Sequence, residues 1–424
     1  MPGAGTKLDI TRSSPPPARV LDLSRLVSRA GRVLTGIDRV ELAYLNWLIL
    51  EDTPCFGLVR TSLGYVLLDR EGMIGLRDRI EGRVHWGKLD AWSLLSRRKH
   101  HARRRAEADL RRLHLERCRP RVLTRMLRKH VPNGSVYLNV GHSNFTDSVI
   151  AAFKQGVNAQ ISVLLHDTIP LDWPKFQRPK TIDKFRDFLK RVSRSADLVI
   201  CNSAVTEQDA IRFMEIWGRV PVTIVAHLGT IPTIADLREL PVGLGIHEPY
   251  FLSIGTIEPR KNHAFLLDLW EEMMREYPEE KVPQLVICGS RGWKNEDVFN
   301  RLDQTPMLGK QIIEVPGLSD AAISALLARA SGVLFPSFAE GYGLPAVEAV
   351  AAGAPLVCNE LPVFREILRD IPIYAPVSDS YLWKTTIMGL ANGKRAENAI
   401  GDGTEMAFQV PGWAAHFNTV LKVS

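Results

Sequence analysis

At 424 residues the chain is too long for one ordinary core and fits two domains of about 200 residues each. Its 45% hydrophobic and 24% charged residues are those of a globular protein, and no run of about 18 apolar residues offers a membrane-spanning helix. The net charge of +7 is a local matter: residues 97–130 carry 14 Lys/Arg against 3 Asp/Glu, so that segment alone is +11 and the rest sums to −4.

The opening "MPGAGTKLDITRSSPPPAR" lacks the apolar stretch of a secretory signal, so residues 1–18 read as a disordered tail. Short apolar runs then alternate with helix-like segments, the pattern of a parallel sheet with crossover helices. Strand candidates in a first domain, 19–235, are "RVLDLS", "SVYLNV", "QISVLLH" and "DLVICN". Within it, the basic segment 93–131 mixes arginines with leucines such as Leu110, Leu113, Leu123 and Leu127 at helical spacing. A helix with a cationic face suits anionic lipid headgroups, and a solvated charged face is the plainer alternative. No stacking aromatics accompany it, so a nucleic-acid partner is not expected. A Pro- and Gly-rich stretch marks a linker at 236–248.

A second alternating series, "YFLSIG", "QLVICG", "QIIEVPG", "GVLFPS" and "APLVCN", sets a second domain at 249–410. Ser319 and Asp320 are suited to start the helix "SDAAISALLARA". Residues 411–424 read as an amphipathic helix with Trp413 and Phe417 four apart. The expected fold class is therefore α/β: two Rossmann-like, doubly wound domains facing a deep cleft. The five cysteines form no C-x-x-C pair, and Cys201, Cys288 and Cys358 close apolar strand-like runs. Buried free thiols are expected there, not disulfides or a zinc site.

In doubly wound sheets ligands bind at the carboxyl ends of strands, so the strand-to-helix loops matter most. One is "FAEGYGLPAVEA", with Glu340 in a glycine-rich break, Pro345 in the first helical turn, Glu348 inside the helix and Gly353 at its end. The backbone N–H groups at such a helix start attract a phosphate. The carboxylates need hydroxyl partners instead, as sugars provide. A second loop, "SIGTIEPRKN", places Arg260 and Lys261 before another helix, and Arg can bind phosphate oxygens bidentately. A diphosphate between the two loops is the economical explanation.

"SIGTIEPRKNHAFLLDLW", "VPGLSDAAISALLARASGVLFPSFAEGYGLPAVEAVAAGAPLV" and "LPVFREI" resemble the nucleotide-sugar half of family 4 glycosyltransferases, retaining enzymes of the GT-B fold. The resemblance is dense over residues 250–370, and "EPRKN" is most similar to bacterial surface-polysaccharide mannosyltransferases. It implies that Glu340 contacts donor-sugar hydroxyls and Glu348 the ribose. Gly341, Tyr342, Gly343 and Leu344 would offer backbone amides, and Arg260 and Lys261 would neutralise the leaving diphosphate. Val315, Gly317 and Leu318 match the base-binding edge. Gly255 and Thr256 stand where many relatives have Gly-Arg, which shifts more of the phosphate's neutralisation to Arg260.

In the first domain, His166 in "SVLLHDTIP" matches a histidine near the donor's reacting carbon, with Asp167 expected to orient it. Gly36, in "RAGRVLTGIDRVE", matches a glycine loop that approaches donor or acceptor, and His142 in "NVGHSNFT" is a further cleft candidate. The C-terminal helix would cross back to the first domain.

The expected partners are a GDP- or UDP-sugar, with GDP-mannose favoured by "EPRKN", and a lipid-linked glycan acceptor reached by membrane contact through 97–130. No D-x-D motif is visible, so no metal cofactor is expected. The implied location is cytoplasmic, peripheral on the inner membrane face. Two other readings share the architecture: a nucleotide-sugar epimerase and a non-catalytic sugar-nucleotide binding protein.

Overall fold

The computed structural model describes residues 14–96, 100–393 and 410–424. Residues 1–13 of the expected tail and 97–99 of the basic segment lie outside the described residues. Parallel strands covered on both faces need continuous apolar runs, and such runs build two sheets. In the first domain the strands are β1 (Arg19–Asp22), β2 (Cys55–Thr61), β3 (Gly64–Leu68), β4 (Glu116–Cys118), β5 (Val136–Asn139), β6 (Gln160–Leu165), β7 (Leu198–Cys201) and β8 (Val222–Val225). They are ordered β4-β3-β2-β1-β5-β6-β7-β8, parallel except that β3 runs antiparallel to both β2 and β4.

The second sheet holds β9 (Tyr250–Ile254), β10 (Gln284–Cys288), β11 (Ile312–Glu314), β12 (Gly332–Phe335), β13 (Leu356–Cys358) and β14 (Ile373–Tyr374), ordered β11-β10-β9-β12-β13-β14 and all parallel. In each sheet one early strand is flanked on both sides: β1 by β2 and β5, and β9 by β10 and β12. These are the switch points at which doubly wound sheets open a crevice. The expected two-domain α/β architecture is present.

Three strands of the first sheet, β2 to β4, were not expected from the sequence. The β2–β3 turn closes at Gly64, whose φ of +136° favours glycine. A Cβ there would lie 2.1 Å from the Cys118 carbonyl oxygen, so β4 can pair only against a glycine.

Correspondingly, the basic segment is not one cationic helix. It forms a helix at His101–Leu113, the edge strand β4, and a second helix at Leu123–His130. Pairing of Tyr65–Leu67 with Glu116–Cys118, followed by Pro120, interrupts the helical run. Much of its charge is met internally: Arg111 binds Asp90 at 2.6 Å, Lys129 binds Glu116 at 2.6 Å, and Arg112 pairs with buried Asp109. Arg105 Nε donates to the Gly87 carbonyl at 2.8 Å.

The helix Trp413–Val420 lies on the first domain. Phe417 stacks on Trp47 with centroids 4.5 Å apart, and the Tyr44 hydroxyl meets His416 Nε2 at 2.8 Å. Arg19 at the start of β1 donates to the backbone carbonyl oxygens of Leu421 and Ser424. All five cysteines are free, and all but Cys118 are buried. Among the described residues no helix is long and apolar enough to cross a membrane.

Candidate functional site

The switch point of the second sheet lies between the loops that follow β9 and β12, and the two loops supply one charged cluster. Arg260 and Lys261 occupy a single 3-10 turn, Pro259–Lys261, just before the helix His263–Glu276. Glu340 stands in the loop after β12. Arg260 Nη1 donates to Glu340 Oε2 at 2.7 Å, and Lys261 Nζ to Oε1 at 2.6 Å. Ser337 Oγ donates to Oε1 at 2.7 Å. Arg260 is also held by Glu258, Nε to Oε1 at 2.6 Å, and by the Ala339 carbonyl at 2.8 Å. Gly255, at a φ of +132° that favours glycine, lies in contact range of Lys261: a Cβ there would sit 3.4 Å from the lysine Cε.

Burial alone would raise the pKa of Glu340. The Arg260 and Lys261 charges outweigh it and hold the carboxyl down at about 2, so Glu340 is ionised throughout the ordinary pH range. Burial pushes Lys261 below its usual value, partly countered by Glu340.

The first domain closes directly onto this cluster. A Cβ on Gly341 would meet the His166 carbonyl oxygen at 2.7 Å and the Asp167 Cβ at 2.9 Å. Burial pushes Asp167 up to about 6, against the opposing charge of Arg260. His166 Nε2 faces the Val140 carbonyl at 2.7 Å, which requires a proton on that nitrogen. Burial lowers its pKa to about 4, so the imidazole is neutral.

Asp167 does not orient His166, contrary to the sequence expectation. Its Oδ1 accepts the Ile169 N–H at 3.0 Å, a local turn bond that leaves the imidazole to the Val140 carbonyl. His142 lies beside His166, ring centroids 4.9 Å apart, and its Nε2 faces the Leu164 carbonyl at 2.9 Å.

Glu348 is reached from a different direction. It sits on the helix Leu344–Ala351, which starts after Gly343 at φ +82° with Pro345 in its first turn and ends before Gly353 at φ +74°. Its partner is Arg39 of the first domain, and Asp320 lies 3.8 Å from the same guanidinium. Burial raises Glu348 above its usual value, with Arg39 acting against it. Gly36, on the same helix as Arg39, faces Leu344: a Cβ on it would lie 3.7 Å from Leu344 Cδ1. The Tyr342 hydroxyl donates to the Leu228 carbonyl at 2.8 Å, so this side chain ties the domains together.

Val315, Gly317 and Leu318 form the turn after β11 that leads to Ser319, the N-cap residue of Asp320–Leu327. Thr256 adjoins Gly292, whose Cβ would lie 2.7 Å from its methyl group.

The structure thus gathers Glu340, Arg260, Lys261 and Gly341 with His166, Asp167 and His142 at one junction. Glu348 and Gly36 stand beside it on the facing helices. Sequence reasoning missed Arg39, although "TGIDRVE" contains it, and Glu258 within "EPRKN". It also missed Glu366, which accepts the Ala204 and Val205 N–H groups at 2.6 and 3.1 Å and meets His227 at 2.9 Å across the interface. No local pattern marks such a residue, because its partners start the other domain's helix Ala204–Ile216.

Residues 241–373 match the model of "Glycosyl transferases group 1". The serotype-specific mannosyltransferase WbdA of Escherichia coli is 30% identical over 220 residues, covering 49% of this chain and 27% of WbdA. The O-antigen chain mannosyltransferase B of Escherichia coli is 33% identical over 136 residues, 31% of this chain and 33% of that protein. The matched stretch therefore spans only about a quarter to a third of the length of these relatives. Among solved structures, HepE of Anabaena in complex with UDP and glucose superimposes with a TM-score of 0.60 at 15% identity, over 95% of this chain and 98% of that one. The fold is GT-B.

Proposed function

From a chain that carries a glycosyl transferases group 1 domain within a GT-B fold, we propose a retaining glycosyltransferase. It moves a hexose from a nucleotide-sugar donor to a glycan acceptor in bacterial surface-polysaccharide synthesis. The observation that carries this reading is the buried carboxylate of Glu340 clamped between Arg260 and Lys261 at the second sheet's switch point. A donor diphosphate gives both cations a new anion and frees Glu340 to accept bonds from sugar hydroxyls. Charge developing on departure of the nucleoside diphosphate then meets preorganised cations, without a metal ion.

The favoured step is same-face substitution. The bond from the anomeric carbon to the phosphate oxygen breaks and the acceptor oxygen bonds to that carbon. The acceptor hydroxyl's proton passes to the departing phosphate. His166, neutral and with its Nε2 proton engaged, lines the sugar's position. The mannosyltransferase names of WbdA and mannosyltransferase B favour mannose, hence GDP-mannose.

The acceptor is taken to be lipid-linked, with the chain peripheral at the cytoplasmic membrane face. Exposed Arg117, Arg119 and Arg121 beside half-exposed Trp92 and Val122 support that contact.

A thermal-shift panel of GDP, UDP, ADP and dTDP, followed by transfer assays with the matching nucleotide sugar, tests the reading. A shift selective for one base together with sugar transfer is expected. Epimerisation of the sugar without an acceptor, or binding without transfer to any glycan or lipid, would replace the transferase by one of the other two readings.

A further inference from the structure

The first sheet has a switch point of its own, between β1 and β5, and cations gather there that the donor does not need. The segment 25–39, which follows β1, holds Arg25, Arg29, Arg32 and Arg39 against one acid, Asp38. Arg25 Nε and Arg29 Nε each donate to a different oxygen of Asp38, both at 2.6 Å. Asp38 itself is fully buried and its Oδ2 accepts the Thr35 N–H at 2.7 Å, so the carboxylate is fixed and fixes both guanidiniums. Arg25 Nη2 reaches Thr35 Oγ1 at 3.2 Å and Arg29 Nη2 reaches the Val33 carbonyl at 3.3 Å.

Among the described residues no protein partner meets either Nη1. The two side chains remain 23% and 25% exposed. Arg32, also exposed, makes no side-chain bond among the described residues. Behind the pair, burial pushes the acid of Glu41 well up, and its Oε1 accepts the Leu26 N–H at 3.1 Å.

Arg25 of this pair borders the reaction junction. A Cβ on Gly141, in the loop after β5, would lie 3.1 Å from Arg25 Cβ. After burial, and for His142 also the neighbouring His166, the Arg25 charge is a further cause that lowers the pKa of both histidines.

We propose that Arg25 and Arg29 form a phosphate-binding pair on the first domain's wall of the cleft, for a phosphate or diphosphate group carried by the acceptor. The inference rests on the transferase reading above, in which Arg260 and Lys261 on the opposite wall already serve the donor's diphosphate. Two planar guanidiniums fixed by a shared carboxylate each keep an Nη1 without a partner among the described residues, and guanidinium N–H groups suit phosphate oxygens.

Calorimetric titration of hexyl phosphate and of hexanol into the chain saturated with GDP or UDP, whichever binds, tests this. Hexyl phosphate is expected to bind the saturated chain and hexanol not. R25Q/R29Q should weaken hexyl phosphate at least about tenfold while leaving nucleotide affinity unchanged, which also shows that the variant is folded. Hexyl phosphate failing to bind, or binding the variant equally, overturns the proposal. An equal loss of nucleotide affinity in a folded variant assigns the arginines to the donor and overturns it too. Should R25Q/R29Q not fold, R29Q alone is measured against the same outcomes. If neither nucleotide binds, the donor reading fails, and the difference in hexyl phosphate affinity between wild type and variant still decides the arginine pair.

Discussion

Arg39, on the first domain's helix Gly36–Leu48, pairs with Glu348, on the second domain's helix Leu344–Ala351, 309 positions away in sequence. The carboxylate proposed for the donor ribose is therefore held by a cation of the opposite domain. The pair is part-buried, its side chains 25% and 21% exposed, and opening it costs about 1 kcal/mol, the upper end for pairs open to solvent. Arg39→Gln should then tighten nucleotide binding by up to about fivefold, since the ribose no longer competes. Glu348→Gln should weaken it about tenfold or more. Calorimetry with the selected nucleoside diphosphate checks both. Weaker binding in Arg39→Gln would make Arg39 a ligand of the donor and not its competitor.

Glu340 is the shared anion of two buried cations, so its removal acts on stability and on turnover together. Glu340→Ala leaves Arg260 with Glu258 and Asp167 and takes both bonded oxygens from the pair, and breaking such a buried network costs roughly 3–5 kcal/mol. Transfer should fall by about a hundredfold or more through lost transition-state contacts. A diphosphate can replace the missing anion, which leads to a specific expectation. The rise in Tm on adding nucleoside diphosphate should be larger in Glu340→Ala than in the wild type. An equal or smaller rise would show that the diphosphate does not meet Arg260 and Lys261.

Asp167 sets a pH dependence with a definite sign. Its pKa of about 6 is raised by burial and lowered in part by Arg260, with Glu340 and Glu258 adding repulsion. Above pH 6 Asp167 is ionised and opposes an incoming diphosphate; below it the acid is neutral. Nucleotide-sugar affinity should therefore rise as pH falls from 8 to 5. Glu340, held near 2, and His166, near 4, do not titrate in that window. Asp167→Asn should flatten the profile and raise the affinity at pH 8. A profile that keeps its slope in Asp167→Asn would place the titration elsewhere.

The parallel strands and the Glu340 loop were legible in the sequence because each rests on a local pattern. "YFLSI" and "QLVIC" are strands buried on both faces, and loops at strand ends position Arg260, Lys261 and Glu340. The β2–β4 extension was not legible, since Glu116–Cys118 is strand only through its pairing with Tyr65–Leu67. The same holds for the cross-domain partners. Arg39 and Glu366 find their anion and their helix start 309 and 162 positions away, separations no spacing rule covers. The single-helix reading of the arginine run failed at β4, and acids such as Asp90 that meet its charge lie outside the run.

Gly341 offers the sharpest separation between domain closure and donor binding. Its Cα packs against the other domain: an added Cβ would lie 2.7 Å from the His166 carbonyl oxygen and 2.9 Å from the Asp167 Cβ. Its backbone φ is not among the positive ones, so alanine introduces no strain within its own loop. The clash falls between domains, on the backbone oxygen of His166 and on the Asp167 side chain at its Cβ and Oδ2. Gly341→Ala should leave the second domain folded and nucleotide affinity within about threefold, while holding the domains apart and lowering transfer by about a hundredfold, as expected for misplacement by an ångström. Small-angle scattering should show a larger radius of gyration than the wild type, and nucleotide should not restore it. Wild-type transfer together with wild-type scattering in Gly341→Ala would mean that the contact of Gly341 with His166 is not part of the working state.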